Sequence, residues 1–192
     1  MIAIIKYNGG NVSSVQNALD RLGVDSVITD DPEQITKADK VIFPGVGEAS
    51  STMKLLKEKG LDVLIPTLTQ PVLGICLGMQ LMCKENEEGN TEGMGIFDCK
   101  VKRFPPQGLV PHMGWNTISG QGLSLFGGLE AGSDVYFVHS YYCELSDCTT
   151  SVCDYILPFS ASLQKDNFYA VQFHPEKSGG IGSQILNNFI RL

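Results

Sequence analysis

The chain has 192 residues, 43% of them apolar and 18% charged, with 21 acidic against 14 basic side chains and a net charge of −7. That length supports one domain, residues 1–192, with a sizeable core, and the acidic balance without a basic stripe argues against a nucleic-acid partner. No run of eighteen apolar residues occurs, so no membrane span is predicted, and the short apolar start at 1–6 reads as a first strand rather than a signal segment.

A strand is predicted at 2–7. Val12, Val15, Ala18, Leu19 and Leu22 fall at helical spacing over 12–22, and Gly23 stops that helix. Strands at 24–29 and 40–43 follow, the second running into Pro44-Gly45-Val46-Gly47. A helix is predicted over 50–59, closed by Gly60, and a short one around 61–68. The apolar stretch 72–75 is a strand that leads into Gly74-Ile75-Cys76-Leu77-Gly78, and 77–83 is helical. Residues 85–95 are charged and glycine-rich and read as an exposed loop. The texture then changes to short strands at 99–104, 115–118, 135–138, 151–155 and 160–164. A strand over 168–173 ends at His174-Pro175-Glu176, and 179–192 closes the chain as a helix. The alternation predicts an α/β fold of three layers, with a mostly parallel central sheet and a more antiparallel C-terminal half.

Two of these segments carry chemistry. Gly-x-Cys-x-Gly between a strand and a helix has the spacing of a nucleophile elbow, a strained turn that wants small residues on both sides of the nucleophile. The start of the following helix favours a thiolate, and the Leu77 N–H lies where a tetrahedral oxyanion would form. About a hundred residues later, His174 and Glu176 stand two apart at the end of a strand. Residues two apart on extended chain face the same way, and Pro175 keeps His174 out of the helical region. An imidazole and a carboxylate so placed make a base and its orienting acid for Cys76. A lone cysteine of this kind is more often an inert core residue, but the two motifs together predict acyl transfer from an amide. The glycine-rich turn at 44–47 sits where ligands bind in open α/β sheets and can turn backbone N–H groups toward an oxyanion, although a plain βα turn fits it equally.

Cysteines stand at 76, 83, 99, 143, 148 and 153. A core of this size needs no disulfide framework, and the spacing of Cys143, Cys148 and Cys153 is not that of a zinc ribbon or finger. Free thiols in a reducing cytoplasm, with no metal and no cofactor, are the expectation.

The segments Gly74-Ile75-Cys76-Leu77-Gly78-Met79-Gln80 and Phe173-His174-Pro175-Glu176-Lys177-Ser178 resemble the class I, triad-type glutamine amidotransferases, and the resemblance covers the whole chain. Pro44-Gly45-Val46-Gly47 (Pro-Gly-Pro-Gly in many members), His112-Met113-Gly114-Trp115-Asn116 and Tyr136-Phe137-Val138-His139-Ser140-Tyr141-Tyr142 are similar to one subgroup, the glutaminase subunits of imidazole glycerol phosphate synthases. The resemblance implies a flavodoxin-like amidotransferase fold. It implies that Cys76 attacks the glutamine carboxamide, that His174 serves as base and then as acid, and that Glu176 orients His174. Val46 and Leu77 would supply the oxyanion hole, with a Gly45–Val46 peptide able to point either way. Gly47, Gln80, Ser140 and Tyr141 would hold glutamine; Ser140 replaces a threonine of some members and keeps the hydroxyl. The implied partner is a (βα)8 cyclase barrel in a heterodimer that receives the ammonia for histidine biosynthesis, with Asn11, Trp115, Tyr136 and Lys177 near the interface. For Trp115 core packing is the alternative, and for Lys177 a solvated surface. Three rival functions stay in view at this point: a paralogous glutaminase feeding a surface-sugar amidation barrel, a cysteine peptidase or deglycase on a related sheet, and an inactive structural subunit.

Overall fold

The computed structural model describes residues 1–7, 12–120 and 124–192. In chain order the elements are β1 (Ile2–Ile5), α1 (Val12–Arg21), β2 (Ser26–Thr29), α2 (Pro32–Lys37), β3 (Lys40–Phe43), α3 (Ala49–Glu58), α4 (Leu61–Leu64), β4 (Val72–Ile75), α5 (Leu77–Met82), β5 (Cys83–Asn86), β6 (Thr91–Glu92) and β7 (Phe97–Arg103). They continue with β8 (His112–Ser119), β9 (Asp134–His139), β10 (Tyr141–Cys143), β11 (Thr149–Tyr155), β12 (Leu157–Lys165), β13 (Phe168–Val171) and α6 (Gly179–Ile190). The strands form one sheet in the order β2-β1-β3-β4-β13-β12-β10-β7-β5-β6, from which β11, β8 and β9 branch off at β12.

The five strands from β2 to β13 are parallel, and the pairs from β13 through β12 and β10 to β7 are antiparallel. The parallel strands read as continuous apolar runs because both faces are covered. Ala3, Ile5, Val41 and Phe43 pack on one side with Met53 and Leu56 of α3. Ile2, Ile4, Ile42, Leu73 and Ile75 pack on the other with Val15 and Leu19 of α1 and Ile185, Leu186 and Phe189 of α6. Side chains alternate at period two across the sheet, so each strand feeds both cores and three layers result. This is the α/β architecture read from the sequence.

Several segments differ from that reading. The expected loop at 85–95 contains the end of β5 and all of β6, joined by a 3₁₀ turn at Glu88–Asn90. Its charged residues are those of a sheet border, where Lys84 and Glu85 face solvent between buried Cys83 and Asn86. Helix α2 has no counterpart among the expected elements. Asp31 caps it by accepting from the Glu33 N–H, with Pro32 in the first turn, and only Ile35 is buried. Strand β10, three residues long, is likewise additional.

The register places the three motifs together. Phe43 lies beside Gly74, and Val171 beside Ile75, so β3, β4 and β13 end at the same level as adjacent parallel strands. The glycine turn at 44–47, Cys76 and His174 follow closely on the ends of those three strands.

Candidate active site

Cys76 has φ 53° and ψ −110°, a positive-φ region that a side-chain-bearing residue adopts only when the surrounding structure holds it there. Two things hold it. Its N–H donates to the Val171 carbonyl at 2.8 Å, and its carbonyl accepts from Gln80 N–H at 3.1 Å, so the elbow is pinned to β13 and to α5. The glycines are required by close approach. A Cβ on Gly78 would run into the Phe43 carbonyl, one on Gly74 would come within 2.7 Å of Met82 Sδ, and one on Gly45 within 2.6 Å of Leu77 Cβ. The turn at 44–47 is thus pressed directly onto the elbow.

His174 follows β13 in extended conformation, φ −103° and ψ 97°, as Pro175 dictates. Its Nδ1 pairs with Glu176 Oε1 at 2.8 Å, and both side chains are fully buried. With Nδ1 engaged, the other edge of the imidazole lines the same cavity as Cys76. Burial pushes His174 down, but the charge and hydrogen bond of Cys76 and then of Glu176 outweigh it and hold the imidazole up at about 10. The ring is therefore poised as an imidazolium between sulfur and carboxylate. Its backbone is fixed as well. The His174 N–H donates to the Tyr136 carbonyl at 2.9 Å, and buried Ser178 donates its hydroxyl proton to the His174 carbonyl at 2.7 Å while accepting the Tyr136 N–H at 2.9 Å.

A cavity of about 340 Å³ opens over these groups, lined by Val46, Gly47, Cys76, Leu77, Gln80, Ser140, Tyr141 and His174, together with Glu88, Pro111, Val138 and His139. The structure thus brings the residues expected to attack, to act as base and to hold glutamine to one cavity, with Glu176 behind His174. Gly47 has φ +122°, which only glycine adopts freely. Gln80 spends both amide protons, on the Tyr141 carbonyl and on Gln172 Oε1, each at 3.0 Å.

The Val46 N–H is the exception in orientation. It donates to the Tyr7 hydroxyl at 3.1 Å, while Tyr7 donates its own proton to the Pro44 carbonyl at 2.6 Å. Burial pushes the Tyr7 phenol above its ordinary range, so it stays protonated. In this conformation the Val46 donor is engaged away from an oxyanion.

Of the expected interface residues, Trp115 is 58% exposed, which sets aside core packing. It stands opposite Tyr136 on the β8–β9 ribbon, their rings in a T-shaped contact at 5.9 Å. Lys177 is exposed on the turn that follows His174. Asn11 lies outside the described residues. The six cysteines are free. Cys143 meets Cys83 at 3.5 Å, and Cys83 meets Cys99 at 3.3 Å, whereas Cys153 belongs to the core on the other face. Among the described residues no group of histidine, cysteine and acidic side chains is arranged to hold a metal ion.

Sequence reasoning missed three participants. Gln172 is fully buried, accepts from Gln80, and points its amide at Cys76 Sγ from 3.7 Å. Its position two before His174 was the available signal. His139 lines the cavity, its Nδ1 against the Tyr141 carbonyl at 2.7 Å and its Nε2 against His112 Nδ1 at 3.0 Å. A carbonyl only accepts, so His139 donates from Nδ1 and accepts at Nε2, and His112 in turn donates from Nδ1. Burial holds both rings neutral, His112 at about 4 and His139 at about 3. Ser178 is the third.

The glutamine amidotransferase class-I family model matches residues 3–192, and the chain belongs to that family. It is an enzyme of the glutamine amidotransferase type. The imidazole glycerol phosphate synthase subunit HisH of Bacteroides fragilis (strain YCH46) is 61% identical over 194 residues, covering 100% of this chain and 99% of its own. The protein of the same name from Escherichia coli K12 is 45% identical over 194 residues, with the same coverage. A crystal structure of a glutamine amidotransferase from Thermotoga maritima matches with a TM-score of 0.64 at 18% identity, over 99% of this chain and 80% of that one, and shares its fold.

Proposed function

We propose that this chain, as one glutaminase domain over residues 1–192, is the glutaminase subunit of an imidazole glycerol phosphate synthase. The observation that carries the reading is the buried His174 between Glu176 and Cys76 on the floor of the cavity. The Cys76 sulfur, its proton passed to His174, attacks the side-chain carboxamide carbon of glutamine. The carbonyl oxygen becomes an oxyanion, received by the backbone N–H groups of Leu77 and Val46 once the Val46 peptide has turned. Collapse breaks the C–N bond, and His174 returns the proton so that ammonia leaves. The thioester left on Cys76 is hydrolysed by water activated by the same imidazole, giving glutamate and restoring the thiol. Gly47, Gln80, Ser140 and Tyr141 hold the glutamine, and no cofactor takes part.

The relatives' names support a synthase built from more than one subunit. The partner in this reading is a (βα)8 cyclase barrel that receives the ammonia in histidine biosynthesis. Trp115, Tyr136 and Lys177 support a docking face beside the site, and the free thiols fit a reducing cytoplasm. Among the described residues no helix is long and apolar enough to cross a membrane.

The test is glutamate release from glutamine by the chain alone, and by the chain with the cyclase barrel and its nucleotide ligand. Stimulation by the liganded barrel, abolished in Cys76→Ala, is the expected result. A rate indifferent to the barrel overturns the partner assignment, and no glutamate in any mixture overturns the glutaminase itself.

A further inference from the structure

The turn at 44–47 is bonded by a side chain that follows β1, the strand paired with β3. Tyr7 follows β1, is 4% exposed, and stacks edge-on against Phe43 with ring centroids 5.9 Å apart. Its hydroxyl bonds twice to the same turn, donating to Pro44 C=O at 2.6 Å and accepting from Val46 N–H at 3.1 Å. The two bonds flank Gly45, and the second engages the Gly45–Val46 peptide. They set its orientation, because an N–H that turned toward the Cys76 side would leave the Tyr7 oxygen.

The turn rests on the elbow through the close approach of Gly45 to Leu77 and Gly78, and Val46 shares the cavity with Cys76. A rotation of that peptide would turn its N–H away from Tyr7 and toward the cavity it shares with Cys76. Gly45 carries no side chain to oppose the rotation, and Gly47 already occupies a glycine-only conformation. The buried phenol keeps its proton, so both hydrogen bonds to the turn persist across the working pH range.

We propose that Tyr7 is a latch that holds the chain in a resting state by engaging the Val46 N–H, and that activation breaks its bond to that N–H. Tyr7 is a positioning residue, since it acts on the substrate only through the peptide it holds. This rests on the glutaminase reading for its catalytic consequence, but not for its structural one. Tyr7→Phe keeps the ring and its packing while leaving the Pro44 carbonyl and the Val46 N–H without their partner. The held orientation loses its advantage, and the population with Val46 N–H turned inward rises by roughly the worth of one hydrogen bond, on the order of tenfold.

The experiment compares wild type and Tyr7→Phe, both as full chain. Glutamate release is measured with and without the cyclase barrel and its ligand, and hydrogen exchange of the ¹⁵N-labelled Val46 amide is measured without it. The latch predicts a roughly tenfold higher unstimulated kcat with little change in the stimulated rate, so that the stimulation ratio falls by the same factor, together with faster exchange at Val46. An unstimulated rate that stays level or drops, in a variant with native circular dichroism and an intact melting transition, overturns the latch. So does an unchanged exchange rate at Val46. If neither protein releases glutamate in any mixture, the glutaminase reading falls, and the Val46 exchange rate alone decides whether Tyr7 holds the turn.

Discussion

Replacing Glu176 by glutamine tests the site at its most buried point. The side chain keeps its size and loses only its charge. His174 sits at about 10 against an ordinary 6.5, which favours the imidazolium by on the order of 5 kcal/mol. That is net of a burial cost of opposite sign. Glu176 supplies it jointly with Cys76, whose influence is the larger, so the carboxylate carries the smaller part. With both side chains at 0% exposure, solvent does not screen the loss. A glutamine amide also has its own N–H groups to offer, which favours the imidazole tautomer with its proton on the wrong nitrogen. The expected result is a fall in stimulated kcat of roughly 10²- to 10⁴-fold with KM nearly unchanged, because Glu176 stands behind His174 and does not line the cavity. The assay is steady-state glutamate release, with the His174 ring titrated by NMR in parallel; its pKa is expected to fall. A kcat within about threefold of wild type, or an unmoved His174 titration, would refute the role given to the carboxylate.

Gly78→Ala drives a methyl into the Phe43 carbonyl, a backbone atom that cannot step aside, and should cost about 1–3 kcal/mol by urea denaturation, with near-complete loss of activity. An active protein of wild-type stability would show that the strand and elbow are less tightly apposed than described. His112 and His139 are held neutral, at about 4 and about 3, against an unfolded value of 6.5. The unfolded chain therefore binds protons first as pH falls, so their contribution to stability is present above pH 6.5 and declines as pH drops toward 4. Urea midpoints at about pH 7 and pH 5 measure the loss, and His139→Gln should flatten that slope; an equally steep slope in the variant would locate the acid sensitivity elsewhere. Trp115→Ala should leave the unstimulated glutaminase and the melting temperature nearly unchanged while weakening barrel binding by roughly tenfold or more in calorimetry. Unaltered binding would remove the β8–β9 face from the docking surface.

The motifs that sequence made plain are those where local chemistry and tertiary need agree. An apolar strand must end somewhere, and Gly74, Cys76 and Gly78 declare how; Pro175 forces His174 to be extended whatever surrounds it. Trp115 shows the limit of composition, because a tryptophan's size favours the core and only the alternation of β8 places it outward with Met113. The strands β5 and β6 were hidden because a sheet border and a solvated loop share a charged composition. Helix α2 was hidden for another reason: its cap and proline were visible, but six residues with one buried side chain give too short a pattern to show a period. Least readable was the polar floor of the cavity. Gln80 and Gln172 are 92 positions apart and bond only because β13 pairs with β4, and nothing in either segment announces the other.

Strand β9 does more than one thing over six residues. Tyr136 lies against Trp115 on the ribbon's outer side, yet its carbonyl fixes the His174 N–H, the Val138 carbonyl lies 3.9 Å from the Cys76 sulfur, and His139 walls the cavity. Among the described residues, the ribbon that carries it pairs with the main sheet through β11. Surface and reacting atom are thus separated by the thickness of one backbone. A force applied at the aromatic pair would therefore act on the same stretch of backbone that holds the His174 N–H and faces the Cys76 sulfur.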